Sequence, residues 1–524
     1  VRRVACFMRA TSSEPCRAPP GHAELGEAPR ADADAWPAGG RRLGAEELRR
    51  GVPVCRLFAG LGRVMRTRAD ALTVAEQRSL FSVSHNVDKF DMFISHVCST
   101  PGVNKYLTLV MDQLGPFAFA AAAFMSLGVF FFQACWQELP RSGVFSRQDV
   151  IRGVVLTVSF WELVSGVTLA WCVYAFGHIL CRRTCCFFDS ASICQYDTDL
   201  KVVGIRSIPA FLRASREMVV LWDERYFTRL WCVYEVAVAL SVGGIPIRIL
   251  PMDLYSSVAL GQLYVYAAEV AWLMLWPWLP GSWGPLTACL SWVPLFVLQA
   301  RAGRTFAGMY AELQEQFDRF DILSAAHRVR FESDRSFIFA GIEDMFDGSL
   351  DAFNDSVRTT LKAAAMHSLT GQRAMIPYWG MLWQVLPSLP YILSYCSSTW
   401  ELPLWYRLPT CVSGVSFVFC VLPALSAAAM ELGKRCATRK RCAGARAIEY
   451  VCVGITVASL ATVWGELAFG VGGMRRWGVG SWHGAATVTL SMNVSAWVAA
   501  AWAFWPTTQA SESTKVDDGG GKAH

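Results

Sequence analysis

Apolar runs long enough to cross a bilayer punctuate this chain, and their placement restricts every other reading. A helical crossing takes about 20 mainly apolar residues. Residues 115–136, "GPFAFAAAAFMSLGVFFFQACW", and 153–180 meet that requirement. Residues 264–279 and 286–300 are shorter and meet across "PGSWGP", which predicts a tight or re-entrant hairpin. Residues 378–396 with 408–430, then 450–471 with 482–505, complete a set of about eight spans. The expected class is a multi-pass α-helical membrane protein, with the lipid bilayer as its first partner. Composition agrees: of 524 residues 53% are hydrophobic and 17% charged, against about 25% charged in average soluble domains.

Because the spans come in pairs, the larger polar segments share one side. The loop between the sixth and seventh spans carries Lys434, Arg435, Arg439, Lys440, Arg441 and Arg446, and by the positive-inside rule it is cytosolic. Both termini, residues 181–262 and residues 301–376 go with it; the sequence does not say which membrane is crossed. The net charge of +6 is small for this length, and no basic stripe interleaved with aromatics occurs, so nucleic acid is not an expected partner. Eighteen scattered cysteines suit a reducing compartment better than a disulfide framework.

Two polar segments flanking the first hairpin share a pattern. "DKFDMFISHVCST" (88–100) reads as a strand over 90–94 ending in a Ser-His turn. After the hairpin, 186–188 reads as a strand, 200–214 as a helix, 218–222 as a strand, 228–242 as a helix and "IPIRILPM" as a last strand. Strands alternating with helices predict a parallel sheet covered on both faces. Within "RLWCVYEVAVAL", Glu235 stands four residues after Trp231, one helical turn away, so the indole and the carboxylate share a face.

These residues resemble a TIR domain. "FDMFISH" is similar to the first box of that family, and "GIRSIPAFLRASREMVVLWDERYFTRLWCVYEVA" to its later helix, strand, aromatic turn and "WC" with Glu three residues on. The order is similar to plant and protist TIR domains, and the membrane-embedded arrangement resembles dinoflagellate families. The resemblance implies a split flavodoxin-like α/β domain on the cytosolic face. It departs from the family in two ways: two spans interrupt the domain, and the chain after "RILPM" leaves no evident final strand and helix.

By this resemblance Glu235 acts in cleaving the N-glycosidic bond of NAD, with NAD a substrate rather than a tightly bound cofactor. The chemistry suits a carboxylate, because an anion stabilises the oxocarbenium-like ribose. Ser95, His96, Asp189 and the loop through Gln195 would line the nucleotide cleft, with Trp231 beside the acid. Two alternatives stand next to this. Many relatives of the same fold only assemble with one another, which makes self-association the competing role. A channel or transporter is the third, since Glu162, near the middle of the second span, could line a path with Glu269 or Glu466.

Cys181, Cys185 and Cys186 stand just inside the membrane and are candidates for palmitoylation. With His178 they fit no zinc template, and no metal ligands are expected. "DMFDGSLDAFND" lacks the acids a calcium loop needs. The expected organisation is a disordered region over 1–80, TIR-like parts at 86–114 and 181–262, and transmembrane hairpins at 115–180, 263–300, 377–430 and 450–505. A cytosolic helical segment at 301–376, a basic loop at 431–449 and a disordered tail at 506–524 complete it.

Overall fold

The structure is a computed structural model, and it describes residues 48–149, 154–242, 245–279, 283–326, 332–363, 365–366, 376, 378–402, 404–437, 442–469 and 482–504. The expectations for residues 1–47 and for the tail after residue 504 lie outside the described residues.

A six-stranded sheet gathers segments from both sides of the first hairpin, in the order β2-β1-β6-β3-β7-β8. These are β1 (Arg50–Pro53), β2 (His85–Asn86), β3 (Met92–His96), β6 (Cys185–Phe187), β7 (Met218–Trp222) and β8 (Ile247–Pro251). The four strands β6, β3, β7 and β8 run parallel, with Phe93 opposite Met218 and His96 opposite Leu221. Residues before the hairpin therefore pair directly with residues after it. Among the described residues no strand pairs beyond β8.

Alternation along the strands assigns the two faces. Met92, Ile94, Cys186, Phe188, Val219 and Leu221 pack with Leu109, Val110 and Leu114 of helix Gly102–Cys135. Phe93, Phe187, Met218, Val220 and Trp222 pack instead with helix Leu230–Val242 and with helices after residue 306. Helices cover both faces.

Residues 50–81 correct the expectation of disorder up to residue 80. β1 pairs antiparallel with β6, Val52 opposite Cys186; a helical segment Val54–Arg66, broken by non-helical backbone at Ala59 to Gly62, and helix Val74–Phe81 follow. Burial of Val52, Val54, Leu57 and Phe58 offsets the chain entropy that the Arg- and Gly-rich composition suggested was uncompensated. Thr73 and Glu76 form a reciprocal capping box at the second helix. Helix Thr198–Arg206 ends at Ser207 and Ile208–Arg213 restarts with Pro209 in its first turn, so the single helix expected over 200–214 is two.

Among the described residues seven helices are long and apolar enough to cross a membrane: Gly102–Cys135, Trp161–Leu180, Met252–Trp278, Gly284–Asp318, Arg407–Cys436, Ala443–Phe469 and Thr487–Phe504. A multi-pass integral membrane protein follows. The expected fifth span is instead two short helices, Tyr378–Gln384 and Ser388–Ser398, with Pro387 at the break. The short third span is the C-terminal part of a longer helix, and the fourth is the N-terminal part of another. Helix Met252–Leu275 starts directly from β8, and Gly284–Asp318 runs on until Leu313 and Phe317 pack in the core beside helix Leu230–Val242.

The second span is also shorter than expected. Val154–Thr157 is a strand, β5, paired antiparallel with β4 (Ser146–Asp149), and the helix starts at Trp161. Glu162 thus stands in the first turn of its helix, at the end of the bundle away from the six-stranded sheet, and not near mid-span. Its carboxylate accepts hydrogen bonds from Gln133 (2.6 Å), Ser159 (2.9 Å), Ser394 (3.2 Å) and Ser397. Four donors from three segments satisfy it and fasten the broken segment to the first hairpin.

Within 301–376, helices Glu332–Met345 and Leu350–Ser356 are the two arms expected around Gly348, whose φ of +78° suits glycine at that turn.

Candidate functional site

The chain leaves β3 in one direction to β6 and returns past it to β7 and β8, so the order reverses at the carboxyl ends of β3 and β7. Open α/β sheets bind ligands at such a reversal, because loops on the two sides diverge and leave a crevice. β3 ends there in Ser95 and His96, Asp189 follows β6, and Asp223 follows β7. Helix Leu230–Val242 brings Glu235 to the same place.

Ser95, 1% exposed, donates to the Glu235 carboxylate at 2.5 Å and lies 2.5 Å from the buried Tyr226 hydroxyl. Glu235 is half-buried, and burial, with Asp189 adding a like charge, lifts its carboxyl to about 8 against the opposing hydrogen bond from Ser95. At neutral pH it is mainly the protonated acid. The same burial pushes the Tyr226 and Cys232 groups upward.

His96 stacks on Phe188, with centroids 4.8 Å apart and planes 7° from parallel. Its Nε2 lies 3.7 Å from Asp189, yet burial pushes the imidazole down to about 4, so at neutral pH this contact is polar and not an ion pair. Gln195 donates to the Asp189 carbonyl at 3.5 Å. Ser95, His96, Asp189, Gln195 and Glu235, drawn from three separate stretches, therefore come together at the carboxyl ends of the parallel strands.

Trp231 is placed differently. Its Nε1 donates to Asp334 at 3.2 Å, and its ring packs on Tyr234 and Phe337. Helix Glu332–Met345 occupies the indole, so the shift at Glu235 comes from general burial and not from a Trp231 wall.

Four residues not anticipated complete the surroundings. Thr100 donates to Asp223 at 2.5 Å and ties the loop after β3 to the loop after β7. Lys105, 2% exposed, acts electrostatically on Asp189 and Asp223. Tyr226 reaches Ser95 across 131 positions of sequence. Cys98 donates to Asp189 at 3.6 Å, and the Asp189 charge is the first cause that lifts its thiol to about 12.

His96, Cys98 and Asp189 hold their ligating atoms within 4.8 Å of one another. A tetrahedral ion at the usual zinc distances separates its ligands by roughly 3.3–3.7 Å. The set could take a metal after a small closure that expels the Cys98 proton. The expectation of no metal ligands weighed His178 with Cys181, Cys185 and Cys186, a different group. Cys185 and Cys186 lie inside β6, 8% and 0% exposed, with Cys186 donating to the Val52 carbonyl. Strand pairing withdraws both thiols from the surface and corrects their candidacy for palmitoylation; Cys181 alone of the three keeps a partly exposed thiol.

No family model matches the chain, and neither a curated protein nor a solved structure matches it.

Proposed function

We propose that this is a membrane-anchored TIR-like signalling protein whose α/β domain faces the cytosol and cleaves NAD to nicotinamide and an ADP-ribose product through Glu235. One observation supports it above the others: an acid held by Ser95 at the reversal point of a parallel sheet, the position at which open α/β folds bind nucleotides. In the reaction the C1′–N bond of the nicotinamide ribose breaks, nicotinamide leaves with the bonding pair, and water adds at C1′ with loss of a proton. The Glu235 carboxylate would stabilise the positive charge on the ribose, and it does so once ionised. Lys105, with its charge among Asp189 and Asp223, would meet the diphosphate.

The test is nicotinamide release by the purified full-length protein. Glu235→Gln should lower release by two orders of magnitude or more while leaving the elution profile and melting temperature of a folded protein. Equal release by the variant removes the catalytic reading.

Assembly is the second reading, and the outer edge of β8 supports it, because no strand pairs there among the described residues. A second copy adding at that edge would be detected by crosslinking that persists in Glu235→Gln.

A further inference from the structure

Between the helices of the bundle is a half-open cavity of about 220 Å³, lined mainly from helices Met252–Leu275, Gly284–Asp318, Ser388–Ser398 and Ala443–Phe469. Glu269 and Glu466 both line it, and Trp272, Trp292, Tyr391 and Tyr395 supply aromatic walls. Glu269 is 3% exposed, and neither of its carboxylate oxygens has a hydrogen-bond partner. Ser388 acts on it without meeting hydrogen-bond geometry, and its own hydroxyl is also without a partner. No basic side chain lines the cavity among the described residues. A buried carboxylate whose oxygens accept no hydrogen bond of good geometry is costly, and a bound cation would offset that cost.

We infer that this cavity is a binding site for a small organic ammonium ion, with Glu269 as its counter-charge and the indole and phenol rings as its walls. Aromatic faces attract a poorly hydrated alkylammonium through their quadrupole, and seven of the 17 lining residues are aromatic. The volume suits a ligand of some ten to fifteen heavy atoms and not a bare ion. Glu269 lies 17 positions along the helix that starts at β8, roughly 26 Å from the sheet at 1.5 Å per residue. The site is therefore independent of Glu235.

The full-length protein in detergent can be titrated with phenyltrimethylammonium, with tert-butylbenzene as its uncharged isostere. Saturable binding of the cation, at least tenfold tighter than that of the isostere, is expected. Glu269→Gln, which keeps the shape, should weaken the cation at least tenfold and leave the isostere unchanged. Trp272→Leu, which keeps both acids, should also weaken it. Equal binding of the two probes, absence of saturable binding by the wild type, or full affinity in either folded variant overturns the assignment.

Discussion

Glu235 is more stable as the neutral acid in the folded chain than in the unfolded one, and the sign of its pH effects follows. Its carboxyl moves from the ordinary 4.5 to about 8, so the folded state holds a proton that the unfolded state has released between those values. The stability this supplies is full below about 4.5 and is lost as pH rises through about 8. Glu235→Gln should flatten the fall in melting temperature across that window, and a fall as steep as in the wild type refutes the burial argument. If the carboxylate is the catalytic form, nicotinamide release should climb with an apparent pKa near 8. His96 behaves oppositely, because its lowered value makes stability present above about 6.5 and lost as pH falls through about 4. His96→Gln should remove that acid limb in thermal melts. Ser95, His96, Asp189 and Glu235 were singled out by the resemblance of the segments that carry them, and the fold brings them together. Tyr226, Thr100 and Asp223 were not, since their partners lie 123 and 131 positions away and no periodicity links them.

Helices in this bundle approach so closely that side chains would separate them. A Cβ on Gly303 would strike the Met430 carbonyl, and one on Gly433 would strike that of Ala300, so these two glycines set the crossing of Gly284–Asp318 against Leu422–Ala437. Gly303→Leu should lower the melting temperature sharply, whereas Gly308→Leu, which meets nothing within 4 Å, should leave it nearly unchanged. Glu162→Ala leaves four donors without their acceptor and should cost about 3 kcal/mol, with Glu162→Gln costing less; equal melting temperatures for the wild type and Glu162→Ala would count against the anchoring role. Most spans were legible from length and composition. The broken segment at 378–398 was not, because a buried segment is apolar all round whether continuous or interrupted. β1 was missed for another reason: four residues ending in proline carry no alternation to detect.

Across the whole molecule, two halves of one sheet stand on either side of a membrane hairpin, and ionic contacts join them. Arg248 of β8 bonds Asp112 at 3.0 Å and Glu217 at 2.9 Å, linking residues before and after the hairpin. The connectivity places Cys135 at the far end of helix Gly102–Cys135 and Cys442 at the sheet end of helix Ala443–Phe469, both exposed. In sealed vesicles whose outer surface carries the sheet, an impermeant maleimide should label Cys442 and spare Cys135, in a background without other cysteines. Labelling of both would overturn the topology. The parallel arrangement itself was legible, because strands and helices alternate on both sides of the hairpin, although neither half shows how it meets the other. β3 emerges from the ribosome long before β7, the neighbour that completes its pairing, and the hairpin between them must first enter the lipid. The pairing of β3 with β7 is thus a check on topology: a chain that held the two strands on opposite sides of a bilayer could not bring Ser95 to Glu235.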